Sequence, residues 1–280
     1  MFICIVIKCE LVKLKRMYNG VVYLFLFFLL PAGGNAVMAQ GSALSQKRQW
    51  SVEGGGYWVY STVIDHPFSS LSYSGGTPGA GLLASTTGRV ASHFLELFYT
   101  AGDRTNAANA EVQDRCITAA YSQGYELTGR GRESGIGGRE SGISVKAGPL
   151  LKAIYSKRTF DGFVNVNSSY EFTVGIGAAL FVFYRVEGLQ DRLSFSGQMG
   201  IPVVNYLRQP LFAGEADGNE GKVAGPGSFL DLNGRWAVHF AINTTQQISV
   251  NYIWEYYQVR TERKVESAAH RVGLAYNINF

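Results

Sequence analysis

Charge, cysteine and long apolar runs are all scarce in this chain, and each scarcity closes a class of protein. Charged residues are 16% of the 280, against about 25% in an ordinary soluble domain. Of 3 cysteines, Cys4 and Cys9 lie near the N-terminus within what reads as a removable leader, leaving Cys116 alone. That excludes an intrachain disulfide framework and a cysteine-based metal site. After residue 40 no stretch approaches the roughly 20 continuous apolar residues of a membrane helix. The four histidines, His66, His93, His239 and His270, show no metal-ligand spacing. Neither a Gly-x-Ser-x-Gly elbow nor a Gly-Lys-Ser/Thr phosphate loop occurs, and no motif calls for a cofactor.

What is present begins with an export signal. Lys13, Lys15 and Arg16 precede an apolar run from Val21 to Leu30, followed by Pro31 and small residues. Val37-Met38-Ala39 before Gln40 fits a small-residue cleavage site, so residues 1–39 read as a secretory signal peptide and 40–280 as one domain. Met17 offers an alternative start. The run is too short for a spanning anchor, and no cysteine follows the cleavage site to carry a lipid. The leader holds Lys8, Lys13, Lys15 and Arg16 against Glu10, three of the net +4 charges, which leaves the mature chain near +1. Nothing in that balance calls for nucleic acid.

Aromatics reach 13% and 34 residues are glycine against 7 prolines, and the apolar residues are spread over alternating positions. Every even residue from Val272 to Phe280 is large and apolar, and every odd one is small, polar or charged. Strict alternation marks a strand with two different solvents on its faces. Similar segments precede it at 248–260, 229–242, 193–207 and 172–186, with less regular ones at about 144–157, 113–127, 90–103, 78–87 and 50–63. Ten is an even number, as single-chain bacterial barrels require, although the long connection 128–143 leaves eight or twelve open. That connection holds a tandem copy, Gly131-Arg132-Glu133-Ser134-Gly135-Ile136 and Gly138-Arg139-Glu140-Ser141-Gly142-Ile143. It reads as a duplicated linker or a periplasmic docking loop. The other connections alternate between short turns and longer Gly/Ser/Asn-rich loops, the periplasmic and outer ends of such a barrel. The expected fold is therefore all-β: an antiparallel up-and-down transmembrane β-barrel.

On this reading the faces opposite the apolar ones line a lumen. Glu53, Glu96, Glu126, Asp231 and Glu255 there meet Lys146, Lys152, Arg185, Arg235 and Arg271. A basic residue facing lipid at mid-membrane costs ~2–4 kcal/mol, which sends Arg235 inward. A symmetric turn over 243–247 sets Arg235 beside Glu255, with Arg271 at a nearby level. An Arg235–Glu255–Arg271 network is the result, structural filling or an ion gate.

The rim offers the best enzyme candidates: Asp65 and His66 in the first outer loop and Asp231 at the top of its strand. His239 and Asp231, eight residues apart on one face, stand roughly 26 Å apart along a strand and cannot pair. In the longest loop, 208–228, Glu215, Asp217 and Glu220 supply oxygen ligands at short spacing, but the pattern is not an EF-hand. An acidic solvated loop is the default reading.

The leader, the ten alternating segments and the closing Tyr276-x-Ile278-x-Phe280 resemble the Gram-negative outer-membrane β-barrel class. The Gln-initial mature end and Tyr/Asn-rich strands are similar to small barrels of Bacteroidota. The resemblance covers 40–280 as architecture and carries no site residues. It implies residence in the cell outer membrane among its lipid, handling by the barrel-insertion machinery, and envelope protein partners in uptake, secretion or conjugative transfer. Three functions stay open: a structural or interaction barrel, a small pore with a charged constriction, and a rim hydrolase acting on outer-leaflet lipid or surface peptide.

Overall fold

A strand with one apolar and one polar face is stable in a membrane only if every backbone group is paired, which requires the sheet to close on itself. The computed structural model of the protein describes residues 49–66, 70–88, 91–127, 143–160, 168–186, 192–209, 221–260 and 264–280. In chain order its strands are β1 (Gln49–Asp65), β2 (Tyr73–Thr87), β3 (Ala91–Thr105), β4 (Glu111–Glu126), β5 (Ile143–Phe160), β6 (Ser168–Arg185), β7 (Leu193–Arg208), β8 (Lys222–Ala224), β9 (Phe229–Ala241), β10 (Gln246–Val259) and β11 (Val265–Asn279). Neighbours pair antiparallel, β1 joins β11, and the β6–β7 pairing closes the ring. Ten strands form the barrel. The short β8 pairs with β7 above the start of β9.

All ten expected segments are strands, but at the outer end most run further than alternation suggested. Residues 73–77, 158–160, 168–169 and 265–268, expected as loop, belong to β2, β5, β6 and β11. The cause is an inversion of pattern. Toward the outer end Val63, Tyr73, Val112, Phe160, Val259 and Val265 point inward and are buried, while Gln113, Lys157, Gln258 and Glu266 point outward. Above the hydrocarbon the outer face meets water, so apolar-out alternation is no longer the signature of a strand.

Within the hydrocarbon the outer surface is apolar. Trp58, Leu82, Leu97, Ile117, Ile176, Val250, Leu274 and Ile278 are all exposed. Trp50, Tyr276 and Phe280 lie toward the end where β1 starts beside the C-terminus, and Tyr60 and Tyr99 toward the other. They are placed as interfacial aromatics would be.

The β9–β10 turn is tighter than symmetry about 243–247 requires. Asn243 Oδ1 accepts hydrogen bonds from the backbone N–H groups of Thr245 and Gln246, both at 2.9 Å. This Asx turn moves the register by one pleat, so Arg235 lies opposite Ile253, and Glu255 opposite Asn233.

Three prolines mark lapses in the wall. The β2–β3 pairing stops between Gly79–Thr100 and Ser74–Thr105, around Pro78. The β4–β5 pairing stops between Ser122–Leu150 and Tyr125–Ala147, around Pro149. The β6–β7 register shifts at Ile176/Gly177, opposite Pro202. Proline lacks the N–H a ladder needs and survives at such bulges. Gly273 is needed for close contact: a Cβ there would stand 2.3 Å from the ring of Tyr57, its partner on β1.

Candidate functional site: the filled lumen

The lumen is built in layers, each fixed by inward positions two apart along the strands. At the outer mouth Val63, Tyr73, Val112, Phe160, Leu207, Ala224, Phe229, Val259 and Val265 form an apolar ring drawn from nine strands. Tyr73 meets Phe160 edge to face with centroids 5.8 Å apart. Ala224 reaches the ring because β8 extends the wall there, inside the segment expected as one long loop.

Beneath the ring sits Arg158, 3% exposed. Its Nη1 is 3.6 Å from both Asp65 Oδ2 and Glu171 Oε2, its Nε is 3.6 Å from Asp114 Oδ1, and its Nη2 donates to the Tyr257 hydroxyl. Asp114 also binds Arg104 and accepts from Ser156 Oγ at 3.1 Å. Three carboxylates thus share two guanidinium groups. Fixed planar donors suit that arrangement, since one guanidinium can serve several acceptors at once.

Below this hub Lys152 Nζ lies 2.9 Å from Asp231 Oδ1 and 3.4 Å from Glu255 Oε1, and the other oxygen of Glu255 binds Arg271. Arg271 also lies over the Phe98 ring, 5.4 Å from its centroid. Between hub and middle layer a cavity of about 30 Å³ is lined by Arg104, Arg158, Arg271, Cys116 and Tyr257 among others. It has room for roughly two waters.

Deeper still, Arg235 binds Glu53 and donates to Asn251 Oδ1 from Nε at 3.1 Å and Nη2 at 2.9 Å. Asn251 Nδ2 in turn donates to Ser249 Oγ at 2.9 Å and Glu53 Oε1 at 3.3 Å. Nearer the end where β1 starts, the Phe94 and Phe181 rings stack at 4.5 Å. Lys146 Nζ there donates to Ser92 Oγ at 2.7 Å and lies 3.8 Å from Glu126.

The residues named from sequence are therefore divided between partners. Arg271 and Glu255 are brought together, whereas Arg235 joins Glu53 one layer deeper, because the tight Asn243 turn displaces it from Glu255. Asp65 is the last residue of β1, fully buried against Arg158, while His66 beside it is exposed. Asp231 belongs to Lys152. Asp65 and Asp231 are thus each paired with a different base, and the His66 side chain lies exposed. His239 pairs with Ser196 Oγ at 2.8 Å. Arg185, expected in the lumen, is exposed at the end of β6. Glu215, Asp217 and Glu220, the leader at 1–39 and residues 128–142 of the connection that holds the tandem copy lie outside the described residues. Among the described residues, no group of three His, Cys, Asp or Glu side chains could hold a metal.

The hub escaped sequence reasoning because Arg104, Asp114, Arg158 and Glu171 lie at or beyond the ends assigned to their strands. The signal available was the parity of Arg158 with Lys152 and of Asp114 with Thr118, had the strands been continued.

A closed ten-stranded antiparallel barrel with an apolar outer belt, a charged and filled interior and aromatic margins is an outer-membrane β-barrel of the Gram-negative type. The outer membrane protease OmpT from Escherichia coli has a similar fold, at a TM-score of 0.55 and 8% identity over 86% of this chain and 99% of that one. Weaker likenesses are to Neisserial surface protein A, at 0.34 and 10% over 82% and 97%, and to the attachment invasion locus protein Ail of Yersinia pestis, at 0.36 and 8% over 84% and 100%. No protein-family model and no curated protein matches the sequence.

Proposed function

We propose that this barrel is a sealed scaffold of the outer membrane with a structural or interaction role, acting as an accessory of an envelope transport, secretion or conjugative-transfer complex. The observation that carries the reading is the filled lumen: an apolar ring over three layers of ion pairs, with a cavity of about 30 Å³ between the upper two. An apolar constriction repels water and ions at a width that a polar one would admit. Six buried bases, Arg104, Lys146, Lys152, Arg158, Arg235 and Arg271, face six buried acids, Glu53, Asp65, Glu96, Asp114, Glu171 and Asp231. Near-balance of this kind fills space and leaves little net field to select an ion. With the interior occupied, the outer surface and the loops are what remains for partners to engage.

The test has two arms. In planar bilayers the wild-type protein is expected to give no stepwise conductance, and Glu255→Ala is expected to stay near zero as well; discrete openings from either would favour the small pore. Extraction in mild detergent is expected to bring envelope proteins with the barrel. A barrel that migrates alone on native gels from its own membranes would remove the accessory role. The rim-hydrolase reading has weaker support, since Asp65 and Asp231 are each buried against a different base.

A further inference from the structure

On the outside of β4 and β5 two cations stand directly opposite one another. Arg115 and Lys157 are cross-strand partners, and both side chains are exposed. Side chains in that relation have Cβ atoms about 4.5–5.5 Å apart, and like charges so placed repel. Among the described residues neither has a carboxylate partner; Arg115 Nη2 donates only to Gln113 Oε1 at 3.3 Å. Asp103 lies one row further out on β3, diagonal to Arg115, and forms no ion pair with it. The opposite rim is built differently: Lys264 is 3.7 Å from Glu266, and Gln258 bridges Arg260 and Glu266 at 2.7 Å each. A repulsive pair left uncompensated on one side of the barrel is a place where an anion is missing.

Position says which anion. Going down the wall from the pair, the next outward row is Tyr99, Ile117, Tyr155 and Phe172, and below it Ala119 and Ala153 sit side by side. Tyr99 is 48% and Ile117 47% exposed, so the apolar belt begins one pleat below the cations. From Ile117 to Tyr125 is nine residues of β4, the span a tilted strand needs to cross the hydrocarbon. The pair therefore stands at headgroup height, at the end of the barrel opposite the termini and the short turns, which is the outer side. Ala119 and Ala153 set two small side chains among larger apolar residues beneath it, a surface for acyl chains to lie along.

We infer that Arg115 and Lys157 form a binding site for the phosphorylated headgroup of an outer-leaflet glycolipid of the lipid A type, whose acyl chains lie along the apolar rows of β3–β6 below. A phosphate bridging the two cations turns their repulsion into two charge-assisted hydrogen bonds. A double acyl anchor next to the phosphate places it at that height.

The test is titration of the refolded mature barrel, in dodecyl maltoside micelles, with bis-phosphorylated lipid A, read by native mass spectrometry. Wild-type protein is expected to retain the lipid. Arg115→Gln/Lys157→Gln is expected to bind it at least tenfold more weakly, and Lys264→Gln on the balanced rim to bind as wild type does. Dephosphorylated lipid A and phosphatidylglycerol are each expected to bind wild-type protein at least tenfold more weakly, and inorganic phosphate not to compete at equal concentration. Equal binding by the double variant, equal binding of dephosphorylated lipid A, or displacement by inorganic phosphate would overturn the site. Equal binding of phosphatidylglycerol would overturn its glycolipid assignment. Both side chains are exposed, so cold gel mobility is expected to report a folded double variant. The lipid comparisons on wild-type protein decide the matter whatever the variant does.

Discussion

The two sides of this barrel are made differently. The ladders joining β9, β10, β11, β1 and β2 run without a lapse, whereas the wall from β2 to β7 is interrupted at Pro78, Pro149 and Pro202. Lost ladder bonds have to be offset elsewhere, and the interior offers the means. Arg158 and Lys152 both rise from β5, the strand that carries Pro149. They cross the lumen to Asp65 on β1, to Asp231 on β9 and to Glu255 on β10. The ion pairs thus brace the interrupted wall against the continuous one. At the β2–β3 lapse a local substitute appears, with Thr77 Oγ1 donating to the Ala101 carbonyl. Interrupted seams and a filled lumen are two parts of one construction: charges rooted on β5 tie that wall to β1, β9 and β10.

Removing the upper brace is expected to have the largest effect. Arg158→Met leaves Asp65, Asp114 and Glu171 buried around an uncharged side chain, and breaking a buried pair costs ~3–5 kcal/mol. Loss of the heat-modifiable folded band on cold gels, or a urea midpoint far below that of wild type, would register it; an unchanged midpoint would dismiss the brace. Lys152→Met comes next, nearer ~3 kcal/mol, because Glu255 keeps Arg271. Adding Asp231→Leu to that variant is expected to restore most of the loss, since apolar replacement of both partners is close to neutral. A double variant as unstable as the single one would mean that packing, and not the stranded charge, sets the cost.

Smaller effects sharpen the contrast on the continuous side. Gly273→Ala pushes a Cβ into the Tyr57 ring and is expected to cost ~1–3 kcal/mol, whereas Gly54→Ala meets nothing within 4 Å and should change stability by less than about 0.5 kcal/mol. Equal urea midpoints for the two would show that β11 and Tyr57 move apart freely. The smallest signal is in amide exchange. The N–H group of Gln123, which faces β5 at the Pro149 lapse, should exchange faster in micelles than those of Gly273 and Leu274 on β11. Uniform protection around the ring would erase the distinction between the walls.

The strands were visible in the chain wherever lipid met the outer face, as in β10 and β11, because there the two solvents impose an apolar-out alternation. They were hidden at the outer ends of β2, β5, β6 and β11, where water meets the outside and the apolar residues turn inward to form the ring. The lumen was legible as a set of charges and not as a set of pairs. Glu255–Arg271 joins strands adjacent in sequence order, and inward parity brings the two residues to neighbouring levels. Arg235–Glu53 spans 182 positions, and Arg158–Asp65 joins strands that are not neighbours in the sheet. No local pattern encodes such contacts, and one hydrogen-bonded asparagine in a turn was enough to move Arg235 away from Glu255.

Alternation along single strands depends only on which solvent each face meets, so it carried the number of strands and the inward direction of most of the charges within the order of residues itself. Which acid meets which base depends on ring closure, strand tilt and turn register. Those are properties of ten strands together, because an ion pair across a lumen exists only once the far wall has been brought around to meet it.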